Sequence, residues 1–456
     1  WLTVATECTM GHIPQTDCQA RPAMQVSLRN KTRWPATMAM IAFCILLSAC
    51  RNTDPDAFTR VQAWPLPTTS TPSAQPDLVV TPSDELLLSW VEPTETQHRL
   101  QLSRFQPVDA TPRWAPTLTV ASGKGWFLNW ADTPHVYALE DGSLWAHWLR
   151  STGPGRMDYG IDLVRSGDGG KSWSEPHMVN LENSLGDHGF VTFWQQANDQ
   201  LGMAWLDSRQ RAVMGSMAKG ESHQHGAGDH DHHGKDAMML RGALFNASVR
   251  QQGEWPLDAS TCDCCPTSSA VTDRGTVVVY RGRSANEIRD TRLVRFDGKT
   301  WTSPRDVHAD SWQIAGCPVN GPVVVAKGNT LWVVWYTEAD GAPELRAARS
   351  QDAGDTFAAP VTLAKGPQVL GRASLALADE HVLVAWLEQS QDDSQRLVLG
   401  RYDHALQNPR QVEIAQLAAR GRASGMPRLR VANESAWLVW TDVQSGQPIV
   451  RGASVH

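Results

Sequence analysis

Ser166-Gly-Asp168-Gly-Gly170-Lys-Ser-Trp173 returns, slightly worn, as Ser350-Gln-Asp352-Ala-Gly354-Asp-Thr-Phe357, and in shortened form as Asp297-Gly-Lys-Thr-Trp301. Each copy follows a strand-like run: Ile161–Arg165, Glu344–Ala348 and Arg292–Phe296. Each leads through Ser or Ala and Pro to another apolar run. The physics of such a stretch is that of a hairpin turn. An Asp carboxylate accepts from backbone N–H groups a few residues on, Gly supplies positive φ, and the aromatic pins the returning strand.

Working outward, residues from 78 onward lack a helical period and alternate strand-length apolar runs with Gly, Asp, Asn and Pro turns. One element recurs, an apolar run that ends in an aromatic, often followed by an acid. Its aromatic residues are Trp90, Trp148, Trp205, Tyr280, Trp335, Trp386 and Trp440, at spacings of 58, 57, 75, 55, 51 and 54. These are seven copies of one unit, with an insertion in the longest spacing. Each unit has room for about four strands, the size of a propeller blade. The chain ends soon after its seventh aromatic, which leaves the last blade short of an outer strand. Residues 58 to 66 (Phe-Thr-Arg-Val-Gln-Ala-Trp-Pro-Leu) are placed to fill it and close the ring.

The Ser-x-Asp-x-Gly-x-x-Trp pattern resembles the Asp-box, or bacterial neuraminidase repeat, of sialidase-like β-propellers. The resemblance implies an all-β propeller of four-stranded blades. The repeats count seven, against the six usual in that family. It also implies that Ser166, Asp168, Gly170 and Trp173, like Ser350, Asp352, Gly354 and Phe357, serve the fold at blade edges and stand away from the active site.

The N-terminal part has a different character. Arg29, Lys31 and Arg33 precede the short apolar core Met38–Leu47, and Leu47-Ser-Ala-Cys50 resembles a bacterial lipobox. Residues 1–49 are therefore expected to be upstream residues and a lipoprotein signal peptide. Residues 1 to 23 are expected to be non-native, with translation from Met24. The resemblance implies lipid on Cys50 and an anchor in the membrane. Arg51 after the Cys favours the outer membrane, at its periplasmic or surface face. Residues 50–77, rich in Pro, Ser and Thr, read as a tether, and 78–456 as the propeller. A net charge of -7 argues against nucleic acid as a partner, and leaves a glycan or an envelope protein.

Two clusters carry metal-binding chemistry. Cys262-Asp-Cys264-Cys265-Pro266 and Gly316-Cys317-Pro318 each fall just before the first strand of a blade, and the blades are consecutive. The two loops are thus expected side by side at one mouth of the channel. An oxidising compartment favours two disulfides; convergent thiolates would instead suit copper(I) or zinc. The insertion, at about 215–238, holds His223, His225, His230, His232 and His233 among Gly and Asp, with Met214, Met217, Met238 and Met239 nearby. Imidazole and thioether suit the same metals, and the composition equally suits a solvated loop.

The family's enzymes use an arginine triad on a substrate carboxylate, a Tyr–Glu nucleophile pair and an Asp acid/base. Their Phe/Tyr-Arg-Ile-Pro motif is missing from this sequence. Carried over residue by residue, the resemblance nominates Tyr336 with Glu338, Asp132 as acid, and Arg281 and Arg372 as clamps, with Asp187, Arg283 and Arg422 behind them. Blade packing for Tyr336, and surface ion pairs or strand-edge charge for the others, are the plainer account of the same residues. Two functions therefore stand: a binding or scaffold lipoprotein that takes copper or zinc, and an exo-α-sialidase or related glycoside hydrolase. A third is a protein-interaction propeller whose Trp-rich loops, such as 125–130, meet a partner.

Overall fold

The structure is a computed structural model that describes residues 57–456 except 69–71, 95, 108–112, 181–185, 198 and 211–236. Cys50 with its leader, and His223, His225, His230, His232 and His233, lie outside the described residues. Seven antiparallel sheets follow one another along the chain. Their second strands are Leu86–Pro93, Leu144–Ser151, Gln200–Asp207, Gly275–Arg281, Thr330–Thr337, His381–Gln389 and Ser435–Gln444. Each contains one of the seven recurring aromatics, and all seven are at most 5% exposed. The fold is thus an all-β propeller of seven four-stranded blades, as the repeat count predicts.

The first strands neighbour one another in cyclic order around the channel. They are Ala74–Val80, His135–Ala138, His188–Gln196, Ser268–Thr272, Val323–Lys327, Val369–Leu377 and Arg428–Ala432. Ring closure is by the N-terminal segment. Val61, Gln62 and Ala63 pair with Val455, Ser454 and Ala453 as the outer strand of the last blade. Residues 58 to 66, expected to close the ring, do so through Val61–Ala63, and Ala74–Val80, within the stretch 50–77 whose composition reads as a tether, forms the inner strand of the first blade. In the first blade the outer strand is interrupted, with Arg113–Trp114 and Leu118–Gly123 both pairing with His98–Gln106.

The second strands are continuously apolar because both of their faces are buried. In the fourth blade Val277 and Val279 pack with Leu331, Val333 and Trp335 of the fifth. Val278 and Tyr280 pack with Ala204, Leu206 and Leu240 of the third. The two-residue period of a strand thus serves two neighbours at once. Each buried aromatic contributes on the order of 2–3 kcal/mol. The acid after the aromatic also has a role. The indole N–H groups of Trp90, Trp205 and Trp386 donate to Glu92, Asp207 and Glu388, two residues on, at 3.0, 2.9 and 2.8 Å.

The Asp-box turns join third to fourth strands. Ser166 Oγ accepts from the Gly170 N–H at 2.8 Å, while Asp168 accepts from the N–H groups of Lys171 and Ser172 at 3.0 and 2.9 Å. Ser350, Asp352, Gly354 and Thr356 repeat this at 2.9 Å each. Gly170 (φ 94°) seats its backbone against methyl groups of Leu102, Leu118 and Leu144, so the turn plugs the joint with the preceding blade. Because strands alternate in direction, these turns lie on one face of the ring. The loops that enter first strands and leave second strands lie on the other.

Candidate functional site

That second face is irregular, and Cys262, Cys264 and Cys265 lie on it. The outer strand of the third blade, Gln251–Thr261, ends there. The Cys262 N–H donates to the Arg281 carbonyl at 2.9 Å, and the turn that follows folds its three sulfur atoms to within 4.8 Å of one another. Cys262 Sγ stands 2.9 Å from Cys265 Sγ and 3.8 Å from Cys264 Sγ. Metal–sulfur bonds of about 2.3 Å at trigonal or tetrahedral angles would hold sulfurs about 3.8–4.0 Å apart, so the set fits one thiophilic ion after small shifts.

All four described cysteines are free thiols, where compartment alone favoured two disulfides. The reason is local: one turn aims three sulfurs at one point instead of pairing them off. Cys317 comes from the next blade, as the spacing predicts, and its loop brings it near enough to Cys264 for the two thiols to influence one another. The approach is possible because Gly321 lets the second loop lie against the first. A Cβ there would stand 2.0 Å from the Pro266 carbonyl oxygen.

Burial opposes ionisation of Cys262. Bonds from Cys264 and Cys265, and the Arg289 and Arg281 guanidiniums, nevertheless draw its thiol well below the ordinary range. Arg289 donates to Cys262 Sγ at 3.3 Å and to Glu287 at 2.8 Å. Glu287 also takes Arg283 at 2.7 Å. Cys264 is pushed up by its bonds to Cys262, Cys265 and Cys317, and Cys265 by burial. The Arg289 cation thus favours charge at Cys262, and a metal ion held by these sulfurs would take the place of the thiol protons. The described ends of the His-rich insertion reach the same turn. Gln210 donates to the Ala259 carbonyl at 3.2 Å, and the Met238 N–H to Asp263 at 3.0 Å.

The residues nominated for catalysis lie on this face too. Arg281 is buried and spends its donors on backbone carbonyls of Asn320, Arg289 and Tyr336, at 2.6 to 3.1 Å, with its guanidinium over the Trp312 ring. Tyr336 donates to Glu338, and its hydroxyl is pushed up by burial and by that carboxylate. Asp132 is buried and accepts from the Phe190 N–H at 2.8 Å, with its other oxygen unpartnered. Burial, with Asp187 close by, raises it to about 7.

Arg372 and Arg422 are 14 and 18 residues before their aromatics and so out of register, yet they meet. The 3-10 turn Gly421–Ser424 carries Arg422 to the Trp130 ring, with centroid distances of 5.9 Å for Arg422 and 4.4 Å for Arg372. Arg372 (φ 53°) also donates to Ser424 Oγ at 2.7 Å and to the Gly421 carbonyl at 2.9 Å. Burial and the like charge of Arg422 lower it to about 10. No carboxylate among the described residues pairs with either arginine. Beside them opens a cavity of about 320 Å³, lined by Gln75, Trp130, Arg422, Met426 and Thr441. The central channel holds a further cavity of about 400 Å³, where Asp77 pairs with His135 and Arg428.

Sequence reading missed Arg289, Glu287, Gly321 and the meeting at Trp130. The Gly four residues after Cys317 was a signal for close approach. Nothing local marked Arg289.

No protein-family model matches the chain, and a search of curated proteins finds no match. Solved structures similar to it include the NanB sialidase from Streptococcus pneumoniae, 10% identical over 82% of this chain and 83% of that one, at a TM-score of 0.44. The polysaccharide lyase Uly1 is 9% identical over 90% and 94%, at 0.47. The Penicillium chrysogenum α-L-arabinanase is 12% identical over 88% and 97%, at 0.42. At these values the likeness says nothing about chemistry.

Proposed function

We propose that the protein is an envelope-anchored binding protein that takes a thiophilic metal ion, copper(I) or zinc, at the channel mouth. The observation that carries this reading is the convergence of Cys262, Cys264 and Cys265 within 4.8 Å of one another under the Arg289 guanidinium. The His-rich insertion raises local metal concentration from residues whose ends adjoin the turn. Anchoring through Cys50 keeps the site at the membrane.

The test is metal content and free-thiol count on tag-free protein lacking residues 1–50, prepared under reducing and oxidising conditions. One equivalent of copper(I) or zinc, with the thiols of the turn protected only while metal is bound, is the expected result. Cys262→Ser should abolish it. Absence of metal under every condition would remove the reading.

A second reading rests on Arg372 and Arg422. Two guanidiniums on one indole without a carboxylate partner favour an anionic ligand with an apolar body, such as an acidic glycan. Arg372→Gln with Arg422→Gln should lose acidic oligosaccharide binding and leave neutral oligosaccharide binding unchanged. Turnover of a fluorogenic sialoside that depends on Tyr336 would extend this reading to a sialidase.

A further inference from the structure

We infer that Cys317 is the thiol through which the metal enters and leaves the three-sulfur turn, so that the site handles an exchangeable ion and is not a closed structural centre. The inference rests on the metal reading above.

The four sulfurs form a gradient of access. Cys262 and Cys265 are each 1% exposed, Cys264 is half-buried and Cys317 is exposed. Cys317 lies outside the set of sulfurs that are all within 4.8 Å of one another, yet its loop packs on the thiol turn on the side of Cys264, the most accessible of the three. It also comes from a different loop, the one before Val323–Lys327, so it is no part of the turn that builds the set. Gly321 packed on Pro266, and Asn320 bonding the Leu370 carbonyl at 3.2 Å and the Arg372 N–H at 2.6 Å, hold that loop in place. A closed structural site would fill the ion's coordination sphere with protein ligands and leave no position for exchange. Here an exposed sulfur stands next to the one ligand that solvent can reach.

The exchange is a ligand substitution without redox change. The Cys317 thiolate, its proton released to water, forms a bond to copper(I) as an outside thiolate or chelator sulfur departs. Cys264 then bonds to the ion, and its proton passes to the leaving Cys317 sulfur. Cys262 and Cys265 complete the set, any thiol proton they still carry being released to water. Release runs the steps backwards.

The experiment loads the protein, with and without Cys317→Ser, with one equivalent of copper(I) under reducing, anaerobic conditions. The rate of transfer to a colorimetric cuprous chelator is followed, and Cys265→Ser is carried as the variant expected to lose the ion. Cys317→Ser should retain one equivalent at an affinity near that of the unaltered protein and slow transfer about tenfold or more. An unchanged transfer rate would overturn the inference and leave the metal reading standing. So would loss of stoichiometric binding in Cys317→Ser, which would make Cys317 a fourth holding ligand. Failure of the unaltered protein to take copper(I) would instead bring down the metal reading itself.

Discussion

The two faces of the ring are built on opposite rules. On the Asp-box face, short turns close on themselves: Ser166, Asp168 and Gly170 satisfy one another within five residues, and the Ser350 turn repeats the pattern. On the opposite face, residues far apart in the chain satisfy one another. Arg281 caps the Asn320 carbonyl, and Asn320 in turn holds Arg372, which meets Ser424. The first face is the more modular: its turns also take Arg104, Arg274 and Arg295 of the preceding blade onto the carbonyls of Gly169, Asp352 and Ala353, so damage there should stay within one blade joint. The second is a connected network across four blades, so damage there should spread to the thiol turn.

The sharpest way to break this comparison is to add one methyl group to each face. Gly321→Ala places a Cβ 2.0 Å from the Pro266 oxygen, a backbone atom with nowhere to go. The two cysteine loops must separate, at a cost of about 3 kcal/mol or more, and stoichiometric metal binding should fall with them. Gly170→Ala meets only leucine methyls at 3.3 to 3.5 Å and pays mainly for its positive φ, about 1 kcal/mol, with metal binding intact. Urea unfolding and metal content on both variants check this. Equal effects would erase the distinction between the faces.

The same contrast governs what could be read from sequence. The seven aromatics were legible because they end a run repeated seven times, the turns because a short motif recurs three times, and the closing strand because the repeat leaves the last blade one strand short. The convergence of the two Cys-Pro loops was legible too, since the repeat itself places equivalent loops side by side. The meeting of Arg372 and Arg422 was not. It depends on Gly421–Ser424 coiling in one blade, which shifts Arg422 out of repeat register onto Trp130 of another. The choice between disulfides and convergent thiols was equally hidden, because compartment sets the prior while the turn sets where sulfur points. The role of Arg281 as a tie between carbonyls was hidden for the same reason: its partners are backbone atoms of other blades.

Asp132 offers a second test on the network face. Its carboxyl, raised to about 7 by burial and by Asp187, keeps its proton in the fold at pH values where the unfolded chain has lost it. The fold therefore binds more protons than the unfolded chain between about pH 4 and 7. The stability Asp132 confers is present at low pH and is lost as pH rises through 7. Asp132→Asn keeps an oxygen for the Phe190 N–H and cannot ionise. It should match the unaltered protein near pH 4 and exceed it by on the order of 4 kcal/mol at pH 8. Thermal melts across that range decide it, and a pH-independent difference would show that the carboxyl is not what titrates.

A further small effect belongs to the modular face. Ser350 is buried, and its hydroxyl accepts from the Gly354 N–H at 2.9 Å inside the second Asp-box. Ser350→Ala strands that buried donor, at a cost of about 1–2 kcal/mol. Asp352, held down to about 2 chiefly by the Thr356 bonds that outweigh its desolvation, still closes the rest of the turn. The loss should therefore stop at the blade edge. Chemical unfolding would register it, while copper(I) stoichiometry and the transfer rate through Cys317 should stay unchanged. If a Ser350→Ala protein bound metal less well, the Asp-box turns would have to be coupled through the blade to the thiol turn. The separation of a modular face from a networked one would then be a matter of degree.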